Sequence, residues 1–307
     1  MYQIAICIPT FRRPLLLKKL VQSISKCNID ATLIKDFTII IVDNDDCKTA
    51  ISVVDELKKE LHSFTNKITY VNYPVKGLSN VRNELIRNAL SLKPNYIAFV
   101  DDDEYVSPEW LNELVKTITV NKADLVLGPV ISLVNHNASR FVASWLQRQN
   151  YPNNTKLGFL ASNNLIIDTK SFLEKDIWFD PRFNATGAED VFFGSQMLKK
   201  GAKIYWAANA IVYEPIPENR TKLKWLLKRK YNGAANFTVI LKLEKNYFGL
   251  LRKVLVSVAY FISGSVALLI ILFPFKRKYW GVVKISESIG GIAGLLNLQL
   301  HEYGKSK

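Results

Sequence analysis

Asp101, Asp102, Asp103 and Glu104 stand side by side, directly after the apolar run Tyr96–Val100 (YIAFV). Like charges so close repel, and the end of an apolar strand is a costly place to hold them without a cation. Carboxylates suit a hard divalent ion, and Mg²⁺ commonly bridges one or two of them to substrate phosphates. The plainer reading is a solvated acidic turn that Pro108 closes before a helix. Asp43 follows a second apolar run, Phe37–Val42 (FTIIIV). Two acidic strand ends in one sheet tip the balance towards a shared, metal-holding site. A third group is Gly187-Ala188-Glu189-Asp190-Val191-Phe192-Phe193. There Gly187 permits a tight approach, and two acids open a helix whose positive end favours them. They are either ordinary first-turn residues or a carboxylate that takes a proton from an acceptor hydroxyl.

The first half of the chain alternates strand-like and helix-like segments that would position these groups. Gln3–Ile8 is an apolar run ended by Pro9, and Pro14–Ser25 carries Leu15, Leu16, Leu20, Val21 and Ile24 at helical spacing. FTIIIV is β-branched and almost wholly apolar, as a parallel strand covered on both faces should be. Ala50–Leu61 reads as an amphipathic helix, Ile68–Asn72 as a strand, Ser79–Leu90 as a helix and Tyr96–Val100 as a strand. That order implies an α/β fold with a doubly wound parallel sheet, whose ligands bind beyond the carboxyl ends of the strands. Those ends are Pro9–Arg13, Asp43–Asp46 and Asp101–Glu104. Beyond Ala123 the pattern loosens into short strands at 125–127, 165–167 and 204–206, with a helix over 189–199.

The composition is strongly basic: 41 Lys+Arg against 27 Asp+Glu give a net charge of +14. Such an excess points to a polyanion, whether nucleic acid, an anionic bilayer or a phosphorylated substrate. After Pro217 the character changes. Arg220–Lys230 interleaves Trp225, Leu226 and Leu227 with six bases and no acid, and Val254–Phe273 then runs 20 residues without a charge. That length matches the hydrocarbon thickness of a bilayer, although a buried core helix has the same composition. Bases flank both ends, with Lys276, Arg277 and Lys278 beyond Pro274, so an interfacial or re-entrant hairpin fits better than a simple span. Lys284 and Glu287 argue against a second full span. No nucleic-acid module surrounds the basic aromatic stretch, and a membrane surface is the expected partner, not nucleic acid. Cys7, Cys27 and Cys47 lack metal-ligand spacing and read as packing residues. The start lacks a signal-peptide pattern, so a cytosolic start is expected, with the sequons at Asn137, Asn153, Asn184, Asn219 and Asn236 incidental.

Five motifs occur in one order: Pro9-Thr10-Phe11-Arg12 after a strand, VDND at 42–45, GLSNVRN at 77–83, VDDDE at 100–104 and GAED at 187–190. In that order, from Ile4 to about Tyr213, the chain resembles glycosyltransferase family 2, and EPIPENR at 214–220 looks like its bacterial polysaccharide-assembly branch. The resemblance implies a GT-A fold, a Rossmann-like, mostly parallel sheet flanked by helices, over residues 1–220; the basic and apolar composition beyond it makes 221–307 a helical membrane-association region. The resemblance also implies inverting transfer from a nucleoside-diphosphate sugar, a UDP-sugar or relative, to an acceptor hydroxyl; membrane attachment makes a lipid-linked or cell-surface glycan the expected acceptor. By position, Pro9, Thr10 and Arg12 would line the nucleotide pocket and Asp43 would contact the uracil. Arg82 would reach the nucleotide or diphosphate, or form a structural ion pair. Asp101 and Asp102 would touch the ribose, and Asp103 would hold Mn²⁺ or Mg²⁺. Asp190 resembles the catalytic base, with Glu189 positioning acceptor or base.

The chain also departs from family patterns. It lacks the QxxRW motif and the several spans of processive members, so single addition is expected. Where some relatives supply a late histidine to the metal, this chain has Glu214, while His62, His136 and His301 match no motif. Two rival readings are a nucleotidyltransferase, against which the glycine-free PTFRRP speaks, and a membrane scaffold with a degenerate transferase domain.

Overall fold

The structure is a computed structural model that describes residues 1–136, 138–269 and 275–301, apart from the side chains of 63, 64 and 275–278. Asn137, the end of the apolar run at 270–273 and Pro274 lie outside the described residues, as do the side chains of Lys276, Arg277 and Lys278.

In chain order the elements are β1 (Tyr2–Thr10), α1 (Pro14–Ile24), β2 (Ile34–Asp43), α2 (Ile51–Glu60), β3 (Ile68–Asn72), α3 (Leu78–Ser91) and β4 (Tyr96–Val100). There follow β5 (Tyr105–Val106), α4 (Trp110–Asn121), β6 (Leu125–Leu127), β7 (Val130–Leu133), α5 (Arg140–Leu146), β8 (Lys156–Leu157), β9 (Asn164–Asp168) and α6 (Thr169–Lys175). The chain continues with α7 (Glu189–Lys199), β10 (Ile204–Trp206), β11 (Val212–Pro215), α8 (Leu223–Leu243), α9 (Tyr247–Leu269) and α10 (Phe275–Ala293). Two compact units result. The first comprises Met1–Leu133, Arg148–Asn184 and Glu189–Pro215; the second comprises Val134–Gln147, Ala185–Ala188 and the chain from Ile216 onward.

The first unit is built on an eight-stranded sheet of order β3-β2-β1-β4-β9-β6-β10-β8. β3, β2, β1 and β4 are mutually parallel, with Thr10 opposite Asp43 and Ile8 opposite Ile41. The strand order reverses between β1 and β4, which opens a crevice beyond their carboxyl ends. Both faces are covered, and Ile6, Ile8, Ile39, Ile40, Ile41 and Val100 have no exposed surface. α1 starts on Pro14, whose fixed φ suits a first helical position, and buries Leu17, Leu20, Val21 and Ile24. Each such side chain contributes roughly 1.5–3 kcal/mol of transfer free energy.

The other half of the sheet departs from the doubly wound parallel pattern. β9 inserts antiparallel between β4 and β6, and β8 closes the edge antiparallel to β10. The sheet is thus mostly parallel, but mixed beyond β4. A separate three-stranded sheet, β5-β11-β7, forms from segments of two to four residues.

In the second unit α10 packs against both α8 and α9. Glycines allow the close approach: a Cβ on Gly264 would lie 2.8 Å from the Gly281 carbonyl oxygen, and one on Gly290 would lie 2.1 Å from that of Tyr231. From Leu223 the basic stretch forms the first part of a 21-residue helix, α8. Farther along it, Asn232 and Asn236 both donate to the Thr186 carbonyl, each at 2.9 Å. Among the described residues α9 alone is long and apolar enough to cross a membrane, and only 11% of its most apolar window is buried. Phe248, Leu251, Leu255, Val258, Ile262, Val266 and Leu269 are exposed along it. Lys284 and Glu287 of α10 pair at 2.7 Å, with Lys230 3.8 Å from the same carboxylate.

Candidate active site

The crevice between β1 and β4 gathers most of the residues singled out by type and spacing. At the end of β1 the Thr10 hydroxyl donates to Asp102 Oδ2 at 2.8 Å, across the switch point. Arg12 has a left-handed backbone, φ +55°, so the two successive arginines part. Arg12 pairs with Asp45 at 3.0 Å, whereas Arg13 bridges Asp102 at 3.1 Å and Asp103 at 2.9 Å. Arg13 closes the Pro9–Arg13 strand end expected from sequence but was given no role of its own there; the doubled arginine before Pro14 was its signal. Pro9 lies within the strand, opposite Val42.

Asp43 has no exposed surface. Its carboxylate accepts from the Asp45 and Ala50 amides and the Tyr70 hydroxyl, each at 3.0 Å. These bonds fix the β2–α2 loop.

Arg82 comes from α3, whose approach depends on Gly77 at φ +122°, where a Cβ would lie 2.2 Å from Asn184 Cγ. Its guanidinium sits over the Phe179 ring, contacts Asp101 at 3.3 Å and forms a buried ion pair with Glu189. Asp190, next to Glu189 in the first turn of α7, is half-buried and accepts from the Val191 amide at 2.8 Å. Arg82 therefore ties the end of β4 to the start of α7 and brings two distant acidic motifs together.

Glu104 folds back under the cluster. It accepts from the Asp101 amide at 3.0 Å and from Asn163 Nδ2 at 2.7 Å, and Glu214 pairs with Arg148. Burial raises the Asp101 carboxyl; Arg82 opposes that rise, and the charges of Asp103, Glu214 and Asp190 add to it. Burial pushes Asp102 up to about 6 against Arg13 and Thr10, and raises Glu104 well above the ordinary carboxylate range. Glu189 is pushed up to about 7 by burial, with Arg82 opposing. By contrast, burial raises the thiols of Cys7 and Cys27, which keeps both unreactive.

This donor set suits a hard cation. Oxygen ligands crowd one strand end, negative charge exceeds the guanidinium charge in contact with it, and Glu189 Oε2 has no hydrogen-bond partner among the described residues. Among the described residues, the three-ligand set already drawn together lies elsewhere, at Asp45, Asp46 and Cys47. Near Asp103 a single carboxylate shared with substrate phosphates is sufficient for Mg²⁺-type binding.

Comparison with known proteins settles what scaffold this is. The glycosyl transferase family 2 profile matches residues 5–175, and that of glycosyl transferase family group 2 matches 96–289. The chain belongs to glycosyltransferase family 2. Among relatives of this family 2 glycosyltransferase, the succinoglycan biosynthesis protein ExoM of Rhizobium meliloti (strain 1021) is 31% identical over 308 residues, covering 98% of this chain and 95% of that protein. Chondroitin synthase of Escherichia coli is 25% identical and covers 71% of this chain, which spans only 36% of that larger enzyme. The solved structure of S. aureus TarS 1–349 in complex with UDP-GlcNAc matches with a TM-score of 0.53 at 16% identity, over 95% of this chain and 91% of that one. This likeness carries the GT-A fold to the present enzyme.

Proposed function

We propose that this glycosyltransferase takes a UDP-sugar and passes the sugar, with inversion, to a hydroxyl of a lipid-linked or cell-surface glycan. The observation that carries the proposal is the Arg82 bridge, which sets the half-buried Asp190 beside the Asp101–Glu104 strand end. The relatives support the donor and acceptor classes by their names: TarS was solved with UDP-GlcNAc, and ExoM serves succinoglycan biosynthesis.

In this reading Thr10, Arg12 and Arg13 hold the nucleotide end of the donor, with Pro9 shaping the pocket. Asp43 acts through the loop it fixes, which would border the base. Asp101 and Asp102 meet the ribose and orient the site. Asp103 would hold Mn²⁺ or Mg²⁺, whose chemistry there is neutralisation of charge growing on the leaving diphosphate. Asp190 accepts the proton of the attacking hydroxyl, which requires hydrogen-bond reach in the loaded enzyme. Glu189 positions rather than reacts, because it is buried against Arg82. The new glycosidic bond forms as the bond to the diphosphate breaks, the proton passing to Asp190, with no covalent enzyme intermediate.

We assign the region from 221 onward to membrane association at the cytoplasmic face. The exposed apolar face of α9 and the exposed bases Lys224, Lys228 and Arg229 of α8, with Lys222 just before it, support it. An apolar face enters the headgroup boundary, and bases meet anionic lipid.

The test is calorimetric titration of UDP, GDP and dTDP, with and without Mn²⁺, into wild type and Asp103→Ala. The expected result is Mn²⁺-dependent binding of UDP that the variant loses. Equal binding of UDP in both proteins would remove Asp103 from the metal site; no nucleotide binding at all would remove the donor assignment.

A further inference from the structure

A cavity of about 210 Å³ lies at the mixed half of the sheet, bounded by the ends of β6 and β10 and by the 148–163 segment. Trp206, almost fully buried, forms its floor; Tyr151 meets the Trp206 ring edge-on at 5.3 Å, and Phe159 stands at the rim, 43% exposed. The polar groups on its wall include Gln149, Asn163 and Arg148. The Arg148 charge is answered by Glu214. An apolar wall of rings with a few amides and one neutralised charge suits an uncharged ligand that has an apolar face and hydroxyl edges. The volume is below the roughly 300–1,000 Å³ of pockets for drug-sized ligands, and matches a single sugar ring better than a nucleotide.

Position decides which sugar. β10 stands three strands from β4 in the sheet, about 14 Å at ordinary strand spacing. The nucleotide groups cluster on the far side of β4, at β1 and β2. Yet the cavity is not remote from the chemistry: Asn163 lines it and donates to Glu104, whose other oxygen accepts from the Asp101 amide.

We propose that this cavity holds one pyranose ring of the acceptor glycan, its apolar face against Phe159, above the floor that Trp206 closes, and its hydroxyls at Gln149 and Asn163. The proposal rests on the transferase reading above and adds the residues that select the acceptor. The two sugar sources, acceptor and donor, share this chemistry, and the experiment separates them.

The experiment uses the full chain in three forms, wild type, Phe159→Ala and Gln149→Ala, both substitutions being at exposed positions. Binding of methyl glucoside, methyl galactoside and methyl N-acetylglucosaminide is followed by saturation-transfer NMR in the presence of UDP and Mn²⁺. UDP and UDP-sugar affinities are measured on the same samples by calorimetry. The expected result is that one glycoside binds wild type and that Phe159→Ala weakens it about tenfold, a change of about 1.4 kcal/mol. Gln149→Ala weakens it less, and UDP and UDP-sugar affinities stay within about twofold. Three results overturn the proposal: no glycoside binds wild type that does bind UDP; glycoside binding is untouched by both substitutions; or UDP-sugar binding falls while UDP and glycoside binding hold, which would assign the cavity to the donor sugar. Failure of UDP itself to bind would strike the transferase reading and with it the name acceptor, while glycoside binding lost with Phe159→Ala would still place a sugar in the cavity.

Discussion

The two ends of the eight-stranded sheet solve opposite problems. At the parallel end, β3-β2-β1-β4, acids and guanidinium groups are held at strand termini, and every close charge must be answered. At the mixed end, β9-β6-β10-β8, the same edge of the sheet is lined by rings and amides, and its one charged wall group is neutralised by Glu214. A buried charge that loses its partner costs several kcal/mol, whereas a lost ring contact costs about one. The charged end is therefore intolerant and chemically specific; the aromatic end recognises by shape and can change without collapse of the fold.

Asp190→Asn presses that contrast hardest. The substitution keeps size and the amide-capping oxygen but removes the proton acceptor. We expect the transfer rate to fall by about 10²–10⁴-fold, the usual contribution of a positioned base. UDP affinity and melting temperature should stay near wild type. Initial rates with single-turnover controls measure the first, calorimetry the second. A rate within about threefold of wild type would return Asp190 to the status of an ordinary first-turn acid.

The charged end was also the legible one. β1, β2 and β4 contain the apolar runs at 3–8, 37–42 and 96–100, and α7 starts on Glu189, because buried strands and first-turn acids have strong local signatures. The β9 insertion was not visible, since strand order in a sheet is set by long-range pairing that no local pattern encodes. The three-stranded sheet escaped notice because a two-residue strand such as β5 has no periodicity. Arg13 was overlooked for a geometric reason: only the left-handed turn at Arg12 sends the second guanidinium to the β4 acids. The cavity was hidden because Tyr151, Phe159 and Trp206 come from separated segments, and single aromatics in a sequence read as core.

Arg82→Met tests how far the charged end depends on its central cation. The side chain is 4% exposed and Glu189 is 3% exposed, so the substitution leaves a buried carboxylate without its partner. Breaking such a pair costs about 3–5 kcal/mol. The cost should depend on pH, with a definite sign. Burial raises the Glu189 carboxyl from its ordinary value to about 7, so the folded state favours the protonated form. Stability from that group is fully present below its unfolded value and is lost as pH rises through about 7. In wild type, denaturant stability should accordingly decline between about pH 5 and 8, and Glu189→Gln should flatten the decline. Arg82→Met should be milder at pH 5.5, where Glu189 is neutral, than at pH 8. A destabilisation that is equal at both values would mean that Glu189 stays ionised throughout and that Arg82 outweighs burial.

At the aromatic end the smallest expected effects come from two glycines, and they separate packing from chemistry. A Cβ on Gly128 would lie 2.4 Å from the Ala210 carbonyl oxygen and 2.5 Å from Asn164 Nδ2. Neither neighbour can yield easily: the Asn164 side chain already donates to the Pro129 and Ala210 carbonyls and accepts from the Trp110 indole at 2.9 Å. Gly128→Ala should therefore cost about 1–3 kcal/mol by overpacking. It should also disturb glycoside binding, because Gly128 lines the cavity. A Cβ on Gly158 would meet nothing within 4 Å. Its φ is not in the left-handed region, so Gly158→Ala should change stability by no more than about 0.5 kcal/mol, like other surface substitutions. Urea midpoints at constant slope measure both. If Gly158→Ala proved as costly as Gly128→Ala, the 148–163 segment would have to be more tightly built than its open surroundings imply, and the adaptable character assigned to this end of the sheet would fail.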